Sequence, residues 1–175
     1  MLAHKGREAM HYVSGAADLY AVLRMPGRSE DDEADAFTFA KKGHVYDVRA
    51  QRCLGETDRV TASVPLNEAS VYAVLPARVE GIGIAAPAAV ARGGDLRAEL
   101  SVQSADVSPA YVLHVEVIPP SGKARFHFQR NLLTASGRAR LDFALALNDE
   151  PGTWTLRVTE PLTGVRVEKA FALTD

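Results

Sequence analysis

Apolar and polar positions alternate through much of the chain. Between Asp95 and Gln103, Leu96, Ala98, Leu100 and Val102 take every second place, with Arg97, Glu99, Ser101 and Gln103 between them. Successive side chains of a strand point to opposite faces, so a period of two predicts a strand with one buried and one solvated face. The same rhythm recurs in Arg138–Leu145 (Ala139, Leu141, Phe143, Leu145), Thr153–Thr159 (Trp154, Leu156, Val158) and Tyr111–Val117 (Tyr111, Leu113, Val115, Val117). Val165 and Val167 begin a last strand running to Leu173. Pro119-Pro120-Ser121-Gly122, Asn148-Asp149-Glu150-Pro151-Gly152 and Pro161-Leu162-Thr163-Gly164 separate these runs. Proline fixes φ and glycine supplies positive φ, so the clusters predict turns.

The first half carries the same signal less cleanly. Ala17–Arg24 is a strand candidate with apolar residues on both faces, and Ala36–Ala40 puts Phe37 and Phe39 on one face. Lys41-Lys42-Gly43-His44 is expected to turn the chain into Val45–Val48. Arg59–Val64 alternates, and Leu66-Asn67-Glu68 turns into Ala69–Leu75. Lys5–Tyr12 reads as a strand or a frayed end, and no segment has the period of an amphipathic helix. The expected fold is all-β, two tandem antiparallel β-sandwich modules covering residues 1–78 and 79–175. The second is expected to be immunoglobulin-like with about seven strands. The boundary falls near Pro76–Pro87, where Val79–Ile84 merges into the first strand of the second module.

Charge and composition narrow the function classes. A net charge of −2 over 175 residues offers no basic surface for nucleic acid. No run approaches ~18 apolar residues, so no membrane insertion is expected. The one cysteine, Cys53, excludes an intrachain disulfide and a multi-cysteine zinc site, and reads as a small residue near a strand end. The N-terminus lacks the apolar core of a signal peptide. Its abrupt start leads us to expect a fragment, with any export signal upstream.

Candidate chemistry is sparse. Ser29-Glu30-Asp31-Asp32-Glu33-Ala34-Asp35 is the densest charge cluster. The acidic stretch Glu30–Asp35 could offer oxygen ligands to Ca²⁺, but it lacks the spaced ligands and central glycine of a calcium loop and reads as a solvated hairpin loop. His4, His11, His44, His114 and His127 show no metal-binding spacing, although His114 and His127 are expected on neighbouring strands where they could meet. No G-x-S-x-G elbow occurs; Ser14-Gly15 and Ser136-Gly137 read as turns. Glu99, Glu116 and Glu168 fall on solvent faces rather than in a cleft, against a paired-carboxylate glycosidase site. No catalytic residue, cofactor or metal is therefore predicted. Trp154 is expected inward with Leu156 and Val158. If the chain stacks on sugar rings, Tyr20 and Tyr46 are the ligand-facing candidates.

Two longer segments carry a family resemblance. Gly43-His44-Val45-Tyr46-Asp47-Val48, running on to Leu54-Gly55-Glu56-Thr57-Asp58, and then Ala69-Ser70-Val71-Tyr72-Ala73-Val74-Leu75-Pro76 resemble the β-sandwich after the barrel of bacterial β-galactosidase-like glycoside hydrolases. The run from Ala146 through Asn148-Asp149-Glu150-Pro151-Gly152-Thr153-Trp154 to Val158, with Leu162-Thr163-Gly164, resembles immunoglobulin-like or macroglobulin-like modules of large exported bacterial proteins. The catalytic barrel of such hydrolases, ~250 residues, is not in this chain, so the resemblance carries over no catalytic residue. It implies a non-catalytic accessory or structural segment, partnered by a catalytic domain upstream in the same polypeptide. It also implies an extracellular or periplasmic location. The alternatives are a carbohydrate-binding module, or a protein–protein interaction or self-association module using a sheet edge or the apolar strand Ala17–Leu23.

Overall fold

The computed structural model describes residues 7–24, 34–123 and 126–175. The fold is all-β, with a single turn of 3-10 helix at Phe126–Phe128 among the described residues. The chain divides into two compact units, Met1–Arg78 with Leu162–Gly164, and Val79–Pro161 with Val165–Asp175.

The first unit is one five-stranded antiparallel sheet. Its strands are β1 (Arg7–Ser14), β2 (Ala17–Arg24), β3 (Asp35–Asp47), β4 (Arg52–Ala62) and β5 (Ala69–Leu75), in the order β1-β2-β5-β3-β4. Lys5–Tyr12, left open between strand and frayed end, falls on β1 from Arg7 onward. The anticipated turn at Lys41–His44 is replaced by a bend inside β3. Thr38 pairs with Arg59 and Gly43 with Thr57, so four residues of β3, Phe39–Lys42, stand opposite the single residue Asp58. Extra residues on one strand bend it sharply.

Aromatic contacts measure that bend. Phe37 lies ten residues before Asp47, which pairs with Tyr72. A straight strand would separate the two positions by ~33 Å, yet the Phe37 and Tyr72 ring centroids are 6.2 Å apart. The outer half of the β3–β4 hairpin therefore folds back over β2 and β5. One sheet supplies both layers of a sandwich, and Tyr20, Val22, Phe37, Phe39, Val45, Val60, Val64, Tyr72 and Val74 fill the space between them. Gly43 is required at the bend. A Cβ there would sit 2.7 Å from the Leu75 carbonyl oxygen and 2.8 Å from Val74 Cγ1.

The second unit stacks two separate sheets. Strands β6 (Val79–Ala85), β8 (Asp95–Ser104) and β11 (Arg138–Ala144) form one, in the order β11-β8-β6. Strands β7 (Ala89–Ala91), β9 (Val112–Ile118), β10 (Gln129–Leu133), β12 (Gly152–Thr159) and β13 (Arg166–Thr174) form the other, in the order β10-β9-β12-β13-β7. The first strand is split: β6 pairs with β8, and β7 crosses to pair in parallel with β13. With β9, β11 and β12 each entered by a change of sheet, this is an immunoglobulin-like arrangement. Its eight strands include the three-residue β7.

The alternating runs lie where a period of two puts them. Leu96, Leu100, Leu113, Val115, Leu141, Phe143, Leu156 and Val158 are buried. Trp154 is 1% exposed, packs edge-on to Phe128 at 5.3 Å, and donates its indole N–H to the Glu150 carbonyl at 2.8 Å. The Asn148–Gly152 turn thus anchors the core tryptophan as well as reversing the chain. Ser136 and Gly137 both take positive φ, 47° and 72°, and Ala135 and Arg138 exchange backbone hydrogen bonds across them. That is a two-residue hairpin turn of the primed type, which takes the chain from β10 into the other sheet.

Candidate functional site

Beside an exposed network of Asp95, Arg97, Arg140 and Asp142, two clusters of ionisable side chains among the described residues include a buried or half-buried group. The first lies on β1, β2 and the bend of β3. Alternation along β2 points Asp18, Tyr20, Val22 and Arg24 to the core face, and Asp18 is 5% exposed. His11, opposite Tyr20 in the ladder, stacks on the Tyr20 ring with centroids 4.4 Å apart and planes 3° from parallel. Its Nε2 lies 2.8 Å from Asp18 Oδ1, and Lys41 Nζ lies 2.6 Å from Oδ2. The Lys41 contact is a close ion pair without the alignment of a hydrogen bond. At this separation the Oδ2 atom is still electrostatically satisfied. Burial by itself pushes the Asp18 carboxyl up. The close ammonium of Lys41 and the hydrogen bond from His11 outweigh burial and hold it below the ordinary carboxylate range.

A carboxylate orienting a histidine is half of a nucleophilic relay, so its surroundings decide what it can do. Lys41 belongs to the bulge, and the neighbouring Ala40 N–H donates to the Tyr20 hydroxyl at 3.3 Å. Both contacts tie the folded-back hairpin to β2. The cluster pins the bend of the first unit: Asp18 on β2 accepts from His11 on β1 and pairs with Lys41 on β3, and so ties three strands together. Sequence reasoning passed over Asp18 and Lys41, although the parity that puts Tyr20 and Val22 inside also puts Asp18 inside.

The second cluster is a ladder on the outer face of the five-stranded sheet of the second unit. Arg157 on β12 faces Glu116 on β9 and Glu168 on β13. Its Nε donates to Glu168 at 2.6 Å and its Nη1 to Glu116 at 3.3 Å. The hydrogen bond to Glu168 does most to raise the Arg157 pKa; desolvation opposes it, and Glu116 adds to the rise. These acids were expected on solvent faces; Glu168 is exposed and Glu116 half-buried beneath the guanidinium.

Several expected site residues fall elsewhere. Tyr20 and Tyr46 are 1% and 2% exposed, so neither can lie flat against a sugar. The inner face of β2 is sealed by the folded-back hairpin that the sequence pattern did not disclose, while Leu19, Ala21 and Leu23 on its other face are half-buried. His114 and His127 do not oppose each other: His114 pairs with Asn131 and its Nδ1 lies 2.8 Å from Asn131 Oδ1, while His127 sits in the 3-10 turn against Phe128. Within the acidic stretch, Glu30–Glu33 lie outside the described residues, and Asp35 opens β3. Cys53 is exposed, on β4. Among the described residues, no three of His, Cys, Asp and Glu converge as a metal set, and no helix is long and apolar enough to cross a membrane.

One exposed aromatic stands beside polar groups. Phe126, 90% exposed, borders an open cleft of about 150 Å³ with His114, Gln129, Arg130 and Asn131. Arg130 donates to the carbonyls of His127 and Gln129 at 3.0 and 2.7 Å, and its guanidinium lies 5.0 Å from the Phe143 ring centre. The rim of this cleft is therefore held in place.

No known protein-family profile matches the chain. No curated protein matches it. Among solved structures, the chain is similar to a Salmonella alpha-2-macroglobulin mutant at 14% identity with a TM-score of 0.46. That match covers 98% of this chain and 12% of the macroglobulin, so the chain spans a small part of that protein's length.

Proposed function

We propose that this chain is a non-catalytic accessory segment of a larger exported, carbohydrate-active bacterial protein, packing on or spacing a catalytic domain elsewhere in the same polypeptide. The observation that carries the reading is what the converging ionisable groups do. Asp18 is closed in by His11 and Lys41 where the first sheet bends, and Arg157 is bracketed by two glutamates across three strands. Both clusters hold strands together, and neither contributes to the clefts formed among the described residues. The resemblance of Gly43–Asp58 and Ala69–Pro76 to the sandwich beyond a hydrolase barrel supports the carbohydrate-active parent, and that of Ala146–Val158 to modules of large exported bacterial proteins supports the export. The test is turnover by the purified chain of a panel of chromogenic glycosides and esters. The expected result is no rate above buffer; a rate that disappears in Asp18→Asn would overturn the reading.

A second reading, carbohydrate binding, is favoured by the Phe126 cleft. A pyranose ring presents a C–H face that stacks on an aromatic ring, and its hydroxyls suit planar amides and guanidinium donors. Phe126 with Gln129, Asn131 and Arg130 offers both on one surface. Affinity electrophoresis through a polysaccharide panel tests it. Retardation by one glycan, lost in Phe126→Ala, is the expected result; unchanged migration on every glycan removes this reading.

A further inference from the structure

We propose that β1 is a docking edge for a second copy of this chain, paired antiparallel about His11 so that two five-stranded sheets continue as one.

Among the described residues, β1 is a sheet edge without a covering strand. β1 is the end strand of its sheet and pairs with β2 along all eight residues, from Arg7 opposite Arg24 to Ser14 opposite Ala17, with no register shift. Its outer backbone groups therefore form a regular row, and no other strand among the described residues pairs with them. Met10, Tyr12 and Val13 are 41%, 55% and 66% exposed along it. Folded proteins normally blunt such edges with charge, short length or bulges, because an open edge recruits another strand.

Every other sheet edge among the described residues carries one of those devices. β4 has two register shifts and carries Arg52, Glu56, Asp58 and Arg59. β7 has three residues and β10 five. β11 bears Arg138, Arg140 and Asp142, and β6 is shifted between Val79 and Gly81. From Ala9 to Val13, β1 has no lysine, acid, proline or bulge.

The strand's own pattern names the occupant. Read outward from His11, the polarity is nearly the same in both directions: Met10 and Tyr12, then Ala9 and Val13, then Glu8 and Ser14. Two copies related by a two-fold axis through His11 and perpendicular to the sheet keep their faces continuous. Met10 of each copy then lies opposite Tyr12 of the other, and Ala9 opposite Val13. Such apolar cross-strand pairs are the units that stabilise a sheet, and an isologous contact closes after two copies instead of growing into a fibre. Each His11 at the axis is already engaged by its own Asp18. An arbitrary strand would satisfy the backbone row but not this side-chain palindrome. Contacts of one strand against another sit below ~1,200 Å² of buried surface, so the dimer is expected to be weak and concentration-dependent.

Sedimentation velocity on the whole chain, under reducing conditions to silence Cys53, tests the proposal from roughly 10 µM to 1 mM. The expected result is a reversible shift from monomer to dimer. Tyr12→Lys and Val13→Lys, both at exposed positions, each weaken the dimer at least about tenfold, while Glu56→Lys on the β4 edge leaves it unchanged. Circular dichroism identifies any variant that has lost its fold, and the other lysine variant then carries the test. A chain that stays monomeric throughout, as it would if the edge takes a strand from a different protein, overturns the proposal. So does a dimer unmoved by both β1 lysines or equally weakened by Glu56→Lys.

Discussion

The two units close a β core in different ways. The first bends one sheet back on itself through a bulge in β3; the second stacks two sheets joined by turns. Bending leaves the core open at its β1 side, where a buried carboxylate and its two partners fasten the fold. Stacking encloses Trp154 among Phe128, Phe143 and Phe171 and moves its ion pairs to the outer face. The same kind of charge contact thus has different weight in the two units. Around Asp18 it holds the layers together; around Arg157 it ties neighbouring strands of one sheet that hydrophobic packing already holds.

That contrast can be broken first at the enclosed core. Trp154→Ala removes the largest buried side chain of the second unit and leaves a cavity with an unpaired Glu150 carbonyl, at a cost of ~3–5 kcal/mol. Hydrogen exchange should show protection collapsing in β8, β11 and β12. Next is the bend. Gly43→Val drives a side chain into the Leu75 carbonyl and Val74, destabilising by ~1–3 kcal/mol; loss of the Phe37–Tyr72 cross-relaxation in NMR would report the hairpin lifting away.

Asp18 follows. Asp18→Ala removes the contacts to His11 and Lys41, and ~2 kcal/mol is expected because both remain half-exposed and can turn to water. The sign of its pH dependence follows from the lowered pKa. A carboxyl that is more acidic folded than unfolded stabilises fully above the unfolded value, ~3.9. That stabilisation disappears as the pH falls from there through the lower folded value. Urea melts between pH 3 and pH 6, taken as ~3 and ~6 on the scale of carboxylate titration, should show a decline that Asp18→Asn flattens. Smallest is Arg157→Met, under ~1 kcal/mol for a partly exposed ladder. A thermal melt shifted as far as that of Asp18→Ala would erase the distinction between the two clusters.

How much was legible differs between the units for the same reason. In the second, each strand has one core face and one wet face, so Leu96–Val102, Ala139–Leu145 and Trp154–Val158 announce their burial by parity. In the first, β2 is covered on its inner face by a hairpin distant in sequence. Tyr20 there looked available to a ligand, and Tyr46 likewise, because alternation states which residues share a face but not what lies above it. Phe126 is the reverse case: it stands two residues from Phe128, and only the tertiary structure buries one and leaves the other exposed beside His114, Gln129 and Asn131.

Period-two patterning and turn chemistry, both local properties, were enough to settle that this protein is built of short strands and where most of them begin and end. They also sufficed to put the tryptophan inside. Tertiary structure alone decided that four residues of β3 face one of β4, that His11, Asp18 and Lys41 meet, and that β1 rather than β2 is the open edge. Those facts depend on pairings between segments far apart in the chain, and no window of neighbouring residues contains them.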